Sequence, residues 1–424
     1  MLRFFYTLLL YVLTPLVLLR LLWRGTKAPA YWQRWSERFG FVPFRLDQPC
    51  IWFHTVSVGE TIAALPLIRL EMAQHPSVPV LVTTTTPTGS QQLVSSLGDA
   101  VFHCYLPYDL PVALAIFFRR INPRILIVME TELWPNLFHA CQKRDVPVMV
   151  VNARLSERSA SRYRRFSALT KETFANVSCF AVQHQSDADR LLSLGALDAA
   201  VNVTGNIKFD ISLSSSLTEQ AQSLRRDWGD SRQVWIAAST HDGEDEQVLQ
   251  ALKLMRKVLP DLLLVLVPRH PERFSKVVML CREHGYQLVR RSEKESCDES
   301  TAVFVGDSMG ELSLFYAAAD VAFVGGSLVA TGGHNVLEPA ALGKPVIFGP
   351  HMFNFSEAGR LLLENNAARQ VEGSEQLAEA VIDYFQDASL RCSSGDRARQ
   401  VVEENRGALG RTLVLIEKHI GLRA

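Results

Sequence analysis

The chain carries no net charge: its 44 Lys and Arg are matched by 44 Asp and Glu over 424 residues. A balance of zero excludes the basic footprint by which a nucleic-acid-binding protein is recognised. Cysteine is sparse and unpatterned, with Cys50, Cys104, Cys141, Cys179, Cys281, Cys297 and Cys392 forming no CxxC pair. That scatter argues against a zinc site built on cysteine, and the odd number fits reduced thiols in a cytosolic compartment. A third absence is a cleavage motif. No small-residue site follows the apolar N-terminus, so that segment is expected to stay on the mature protein.

Residues Met1 to Trp23 are strongly apolar, with Phe4 to Leu19 free of charge between Arg3 and Arg20. The following stretch, RGTKAPAYWQRWSERFG, interleaves Arg24, Lys27, Arg34 and Arg38 with Tyr31, Trp32 and Trp35. Positive charge and interfacial aromatics after an apolar helix predict an uncleaved membrane anchor over 1–24, with the body on the cytoplasmic side. Pro15 and Arg20 weaken a full span, so spanning and lying in one leaflet both stay open. Charge is also uneven along the chain: residues 1–165 hold 18 Lys and Arg against 10 Asp and Glu, and residues 166–424 hold 26 against 34. The N-terminal half is therefore expected to face something anionic.

From Pro49 onward strand-like and helix-like stretches alternate. Apolar runs at Ile51 to Val56, Val78 to Thr84, Ala100 to Leu106, Ile125 to Met129, Val146 to Val151 and Cys179 to Val182 predict one parallel sheet. Runs at Val234 to Ala237, Leu262 to Val267, Ala302 to Val305, Val321 to Val324 and Val346 to Phe348 predict a second. The expected division is a Rossmann-like domain over 25–211, a linker over 212–230 and a second Rossmann-like domain over 231–424 whose terminal helices pack back. Two doubly wound α/β domains of this kind would face one another across a cleft at their C-terminal strand ends.

The stretch from Phe323 to Pro350, FVGGSLVATGGHNVLEPAALGKPVIFGP, reads as strand, glycine-rich loop, short helix and strand. Gly325, Gly326, Gly332 and Gly333 would let backbone amides approach a phosphate, and the helix N-terminus favours an anion. Turn punctuation alone would use the same glycines; Glu338, one turn into the helix, raises the ligand reading because it can accept hydrogen bonds from a ribose. Such a unit is similar to the donor loop of two-domain GT-B glycosyltransferases. Other strand ends carry chemistry too. Glu60 follows the first strand at a helix start, where it either faces the cleft or only complements the helix dipole. Glu130 and Glu132 end the fourth strand, and two carboxylates there are costly unless solvated, paired or employed. Lys208 precedes the expected linker, and Arg269 at a strand end is a good phosphate ligand.

The stretches HTVSVGET, TTTTPTGS, YLPYDLP, METELWPN, NARLSERS, TGNIKFD, STHDGE, VPRHPERF, GDSMGELSLFYAAADVAFVGGSL and GGHNVLEPAALGKPVIFGPHMFNF cover nearly the whole chain in order. Together with the N-terminal RGTKAPAYWQRWSERFG they resemble the 3-deoxy-D-manno-octulosonate (Kdo) transferases of lipopolysaccharide assembly. The resemblance implies an inverting GT-B enzyme that needs no metal or other cofactor. Its donor would be CMP-Kdo and its acceptor a tetraacylated lipid A precursor, modified at the 6'-hydroxyl, with more than one Kdo added. The family's proton acceptor falls on Glu60, and its transition-state stabilisers fall on Glu130 and Lys208. CMP would rest on Pro268, Arg269, Met309, Gly310, Glu311, Asn335, Val336, Leu337 and Glu338. The expected location is the inner membrane, cytoplasmic side, held by the N-terminal apolar helix against an anionic leaflet. Two alternatives stay in view: a GT-B-shaped nucleotide-sugar epimerase, which has no use for an anchor, and a catalytically silent membrane-bound scaffold.

Overall fold

The computed structural model describes residues 2–420; Met1 and 421–424, the outer ends of the expected anchor and second domain, lie outside the described residues. The chain divides into two compact units, one formed by Met1–Lys208 with Arg406–Ala424 and the other by Phe209–Asn405.

The first unit is built on β1 (Cys50–Thr55), β2 (Val80–Thr84), β3 (Phe102–Tyr105), β4 (Pro123–Met129), β5 (Val148–Ala153), β6 (Cys179–Val182) and β7 (Val201–Val203). All pair in parallel, in the order β3-β2-β1-β4-β5-β6-β7. Side chains alternate between the two faces with period two, so both faces of this all-parallel sheet need an apolar layer. Trp52, Leu126, Val128 and Phe180 on one face pack with Phe117, Phe138 and Phe174. Ile51, Phe53, Ile127 and Met149 on the other pack with Ala64, Leu67 and Ile68 of the helix Val58–Gln74 and with Leu413, Ile416 and Ile420 of the C-terminal helix Ala408–Ile420.

The second unit repeats the plan with β8 (Val234–Thr240), β9 (Leu263–Pro268), β10 (Leu288–Arg290), β11 (Val303–Val305), β12 (Val321–Val324), β13 (Val346–Phe348) and β14 (Ala368–Gln370), ordered β10-β11-β9-β8-β12-β13-β14. Two doubly wound parallel sheets are the α/β architecture that the alternating runs predict. Three strands escape the sequence pattern: β7, β10 and β14 have three residues each and lie at sheet edges. An edge strand is covered less completely than a central one, so it needs no apolar run. Where a linker is expected over 212–230, the chain instead forms the helix Leu217–Trp228, whose Leu217, Ala221, Leu224 and Trp228 are buried in the core of the second unit. Its polar residues are the outer face of an amphipathic helix, which composition alone reads as a tether.

Each sheet has one switch point where strand order reverses, the place at which open α/β sheets hold ligands. In the first unit it lies between β1 and β4; in the second, between β8 and β12. At the N-terminus, the helix Leu2–Lys27 is the one stretch among the described residues long and apolar enough to cross a membrane. It leaves Phe4, Phe5, Leu9, Val12, Leu16 and Leu19 exposed.

Candidate functional site

In the first unit the chain leaving β1 turns at Ser57 into the helix Val58–Gln74. Ser57 caps that helix by accepting from the Glu60 amide, while the Glu60 carboxylate reaches back to the Val56 amide at 2.7 Å and to the Ser57 hydroxyl at 2.8 Å. This reciprocal pattern is a variant of the capping box in which the carboxylate takes the amide one residue before the N-cap, so Glu60 does serve the helix start. It also does more. Only 8% of Glu60 is exposed, and burial, reinforced by the charge of Glu130, pushes its carboxyl above the usual carboxylate range. A carboxylate has about four lone-pair sites, and two donors leave room for a proton from a substrate hydroxyl.

Across the switch point, β4 is followed by Glu130, whose φ of +53° is left-handed for a residue with a side chain. That conformation costs about 1–2 kcal/mol, and such strain gathers at working sites. Glu130 Oε1 lies 3.8 Å from Lys208 Nζ. Lys208 sits on a short turn fixed from both sides: the Ile207 amide donates to Asn152 Oδ1 at 3.1 Å and the Lys208 amide to Asn206 Oδ1 at 3.1 Å. Glu60, Glu130 and Lys208, 148 residues apart in sequence at the extremes, therefore share one sheet edge. Glu132 joins them, although the sequence reading left it without a role. Burial pushes its carboxyl up to about 7, with the charges of Glu60 and Glu130 adding to the effect. Its signal was the second acid of METELWPN.

One other expectation for this unit changes. Arg34 and Arg38, read as interfacial charges, stack on the Tyr105 ring at 4.6 and 4.3 Å, and Arg38 is only 4% exposed. Glu37, also buried, accepts from Arg34 Nε at 2.8 Å and from the Tyr105 amide at 2.8 Å. The basic stretch is thus built into the end of the sheet, because a guanidinium loses less hydration on an aromatic face than an ammonium would. The Asn136 of METELWPN is a brace. Its side chain donates to the Asp109 carbonyl, its amide and that of Leu137 donate to the Asp109 carboxylate, and Tyr6 and Thr7 of the N-terminal helix close the cluster.

In the second unit the first glycine pair does not offer its amides to a ligand. Glu244, fully buried, accepts from the amides of Gly326 at 2.6 Å, Ser327 at 3.0 Å and Leu328 at 2.9 Å. An internal carboxylate occupies the nest that the sequence reading reserved for phosphate. Gly325 is required for packing, since a Cβ there would stand 2.8 Å from the Ser239 carbonyl oxygen. The helix Leu337–Ala341 is shorter than expected, and the side chains of Val336 and Leu337 are fully buried in the core, so only their backbone can meet a ligand. Asn335 donates to Glu338 Oε1 at 3.0 Å, and burial holds the Glu338 carboxyl above its ordinary range.

At the neighbouring strand ends, Pro268 closes β9 and the Arg269 amide pairs with the Thr240 carbonyl, while the Arg269 guanidinium makes no hydrogen bond or ion pair among the described residues. Met309 is exposed and Gly310 has a φ of +83°, presenting a backbone turn; the Glu311 carboxylate is held by Arg291 at 2.6 Å and does not point to a ligand role of its own. Sequence reasoning missed three histidines beside Arg269. His241 and His334 bridge the switch point with Nε2 atoms 2.8 Å apart, and the His270 ring lies 5.4 Å from that of His241. Burial, with the Arg269 charge adding, pushes His334 down to about 3, so the pair is neutral at physiological pH. One arginine with neutral imidazoles suits an anionic ligand.

Two Rossmann-like units, each with polar residues at its switch point, define a protein of the GT-B fold class. Solved structures agree on the fold. A glycosyltransferase from Rickettsia africae matches with a TM-score of 0.55 at 14% identity, covering 89% of this chain and 100% of its own. A UDP-N-acetylglucosamine 2-epimerase matches with a TM-score of 0.52 at 15% identity over 89% and 98%. At such identities the likeness speaks of fold alone, and sequence decides the rest. A family profile described as 3-deoxy-D-manno-octulosonic-acid transferase (kdotransferase) matches residues 33–211. The 3-deoxy-D-manno-octulosonic acid transferase of Haemophilus influenzae is 44% identical over 421 residues, 99% of each chain, and that of Bordetella pertussis is 35% identical over 429 residues, 98% and 99%. The chain belongs to the 3-deoxy-D-manno-octulosonic acid transferase family.

Proposed function

We propose that this protein transfers Kdo from CMP-Kdo to the 6'-hydroxyl of a tetraacylated lipid A precursor, with inversion and more than once per acceptor, in lipopolysaccharide core biosynthesis. The observation that carries the reading is the buried Glu60 carboxylate with its raised proton affinity, beside Glu130 and Lys208 at the switch point of the first unit. A general base works best when its pKa approaches the operating pH. Glu60 takes the proton of the acceptor hydroxyl as the oxygen attacks the anomeric carbon and CMP departs. Glu130 and Lys208 stabilise the oxocarbenium character and the charge that develops. The acceptor binds the first unit and CMP the second, against Pro268, Arg269, Met309, Gly310 and the backbone of Asn335 to Leu337, with Glu338 on the ribose. No step requires a metal or other cofactor. The test is transfer to a tetraacylated lipid A precursor with CMP-Kdo generated in situ, read by mass spectrometry. Product masses rising by two or more Kdo support the reading; a rise of one Kdo alone overturns the repeated transfer, and an unchanged acceptor mass overturns the transfer itself.

The pH profile offers a second check. The base must be ionised, so kcat/KM falls as pH drops through the Glu60 titration, and the raised pKa places that fall above the ordinary carboxylate range. The charge of Glu130 is part of what raises the Glu60 carboxyl, so Glu130→Gln is expected to move the acid limb of the remaining activity to lower pH. An unmoved limb would remove the Glu130 charge from the surroundings of the base.

The N-terminal helix is proposed to hold the enzyme at the cytoplasmic face of the inner membrane while lying in the plane of the bilayer. Support comes from contacts near both ends of a helix about 39 Å long. At one end Arg3 pairs with Glu172 at 3.6 Å and Tyr6 donates to Asp109 at 3.0 Å. Past the other end Trp32 donates to the Leu22 carbonyl and Arg34 donates to Ser90. An in-plane helix keeps both ends on one side. In a Cys392→Ser background, a thiol placed at Leu2 is expected to react with a membrane-impermeant reagent from the cytoplasmic side. Reaction only from the opposite side would instead show a span.

A further inference from the structure

The helix that begins near Glu60 ends in a second cluster. Glu71 is 0% exposed, and neither of its carboxylate oxygens has a hydrogen-bond partner. One turn on, His75 Nε2 stands 3.9 Å from Glu71 Oε2 and 2.6 Å from Glu417 Oε1, the latter brought in by the C-terminal helix 342 residues later. One ligand atom from each of the three lies within 4.8 Å of the other two. A carboxylate removed from water without a donor is among the costliest groups to bury, and it calls for a proton or a cation. Burial first, then the Glu417 charge, pushes the Glu71 carboxyl up to about 7.

We propose that Glu71, His75 and Glu417 form a divalent metal site of two carboxylates and one imidazole, suited to a first-row ion such as Zn²⁺. The i,i+4 spacing puts Glu71 and His75 on one helix face. Oxygen and nitrogen ligands bonded to tetrahedral zinc at 2.0–2.2 Å stand about 3.3 Å apart, and the observed 2.6 and 3.9 Å bracket that value. Two carboxylates with a neutral imidazole cancel the ion's charge, which removes the cost of burying Glu71. His75 and Glu417 are partly exposed, which gives the ion an entrance and leaves a side open for a water ligand.

The site lies about 16 Å along the helix from Glu60, so the ion takes no part in transfer. Its work is mechanical. The C-terminal helix buries Leu413, Ile416 and Ile420 under the sheet, and its Arg411 Nε donates at 2.8 Å to the Thr204 carbonyl, four residues before Lys208. An ion fastening this helix to Glu71 and His75 braces the helix that carries Glu60 and the turn that carries Lys208.

The test uses untagged full-length protein in detergent, stripped with a chelator and titrated with ZnCl₂, reading bound zinc by equilibrium dialysis and elemental analysis alongside Tm. One zinc per chain and a rise in Tm are expected of the wild type, with affinity lowered about 10-fold or more in His75→Ala and Glu417→Gln. Glu71→Gln separates metal from proton: the stripped variant keeps or raises its Tm, because a buried charge is gone, while the zinc-dependent rise disappears. The proposal is overturned if the wild type shows no saturable binding. It is equally overturned if all three variants bind zinc like the wild type, which would place the ion elsewhere, for example at the exposed Cys392.

Discussion

Glu60→Gln is expected to lower kcat for Kdo transfer by about 10²–10⁴-fold, the usual worth of a positioned general base. Glutamine keeps the length of the side chain and one carbonyl acceptor, so the bond from the Val56 amide and the cap on the helix can persist. CMP affinity, which the proposed function assigns to the other unit, is expected to stay within about twofold, as for a change that touches only the transition state. Calorimetric titration of CMP with turnover measured beside it separates the two effects. The capping box makes a control necessary: if Glu60→Gln loses activity and unfolds at the assay temperature, the defect is that of a lost cap. Ser57→Ala supplies that control. It removes the hydroxyl that caps the helix and contacts Glu60, costing about 1 kcal/mol of stability, yet leaves the carboxylate in place. Glu60→Gln far less active than Ser57→Ala at equal fold supports the base; equal activity would sink it.

Arg269→Ala is expected to raise KM for CMP-Kdo about 10- to 100-fold. That range corresponds to losing a charge-assisted hydrogen bond of about 1.5–3 kcal/mol. The argument rests on two facts: the guanidinium is uncommitted among the described residues, and it stands close enough to His241 and His334 to depress both imidazoles. Arg269→Lys should recover only part of the loss, because a point charge cannot reproduce a planar pair of donors. Competition by CMP against the donor reads the effect directly. A variant with unchanged KM and unchanged CMP inhibition would exclude Arg269 from the donor site.

Much of the candidate site was legible in the sequence, for a local reason. Glu60, Glu130 and Arg269 each closely follow a strand-like run, and a parallel sheet delivers the ends of its strands to one edge whatever the details of packing; Lys208 follows β7, which has no such run, and was marked only by TGNIKFD. Other parts were not legible. Glu244 and the Gly326 amides are 82 residues apart, and nothing in STHDGE announces that its acid fills the nest after another strand. The His241 and His334 pair spans 93 residues, and each histidine alone reads as an ordinary polar turn residue. The same holds for Glu71, His75 and Glu417: the cysteine pattern spoke against a thiolate zinc site, but an imidazole and carboxylate set drawn from two ends of the chain leaves no spacing to recognise.

By itself the sequence determined the class of fold, the two sheets, the apolar N-terminal helix and the family. These follow from periodicity and from contiguous motifs, which local sequence carries in full. Tertiary structure alone decided which polar residues of those motifs are free to act. Glu244, Glu311, Asn136 and Arg38 turn out to be committed to internal partners, while Glu60 keeps a raised proton affinity beside Glu130 and Lys208. The physical reason is that a charged or polar group is defined by what compensates it. In this chain those compensating groups arrive from distant segments that only folding brings together.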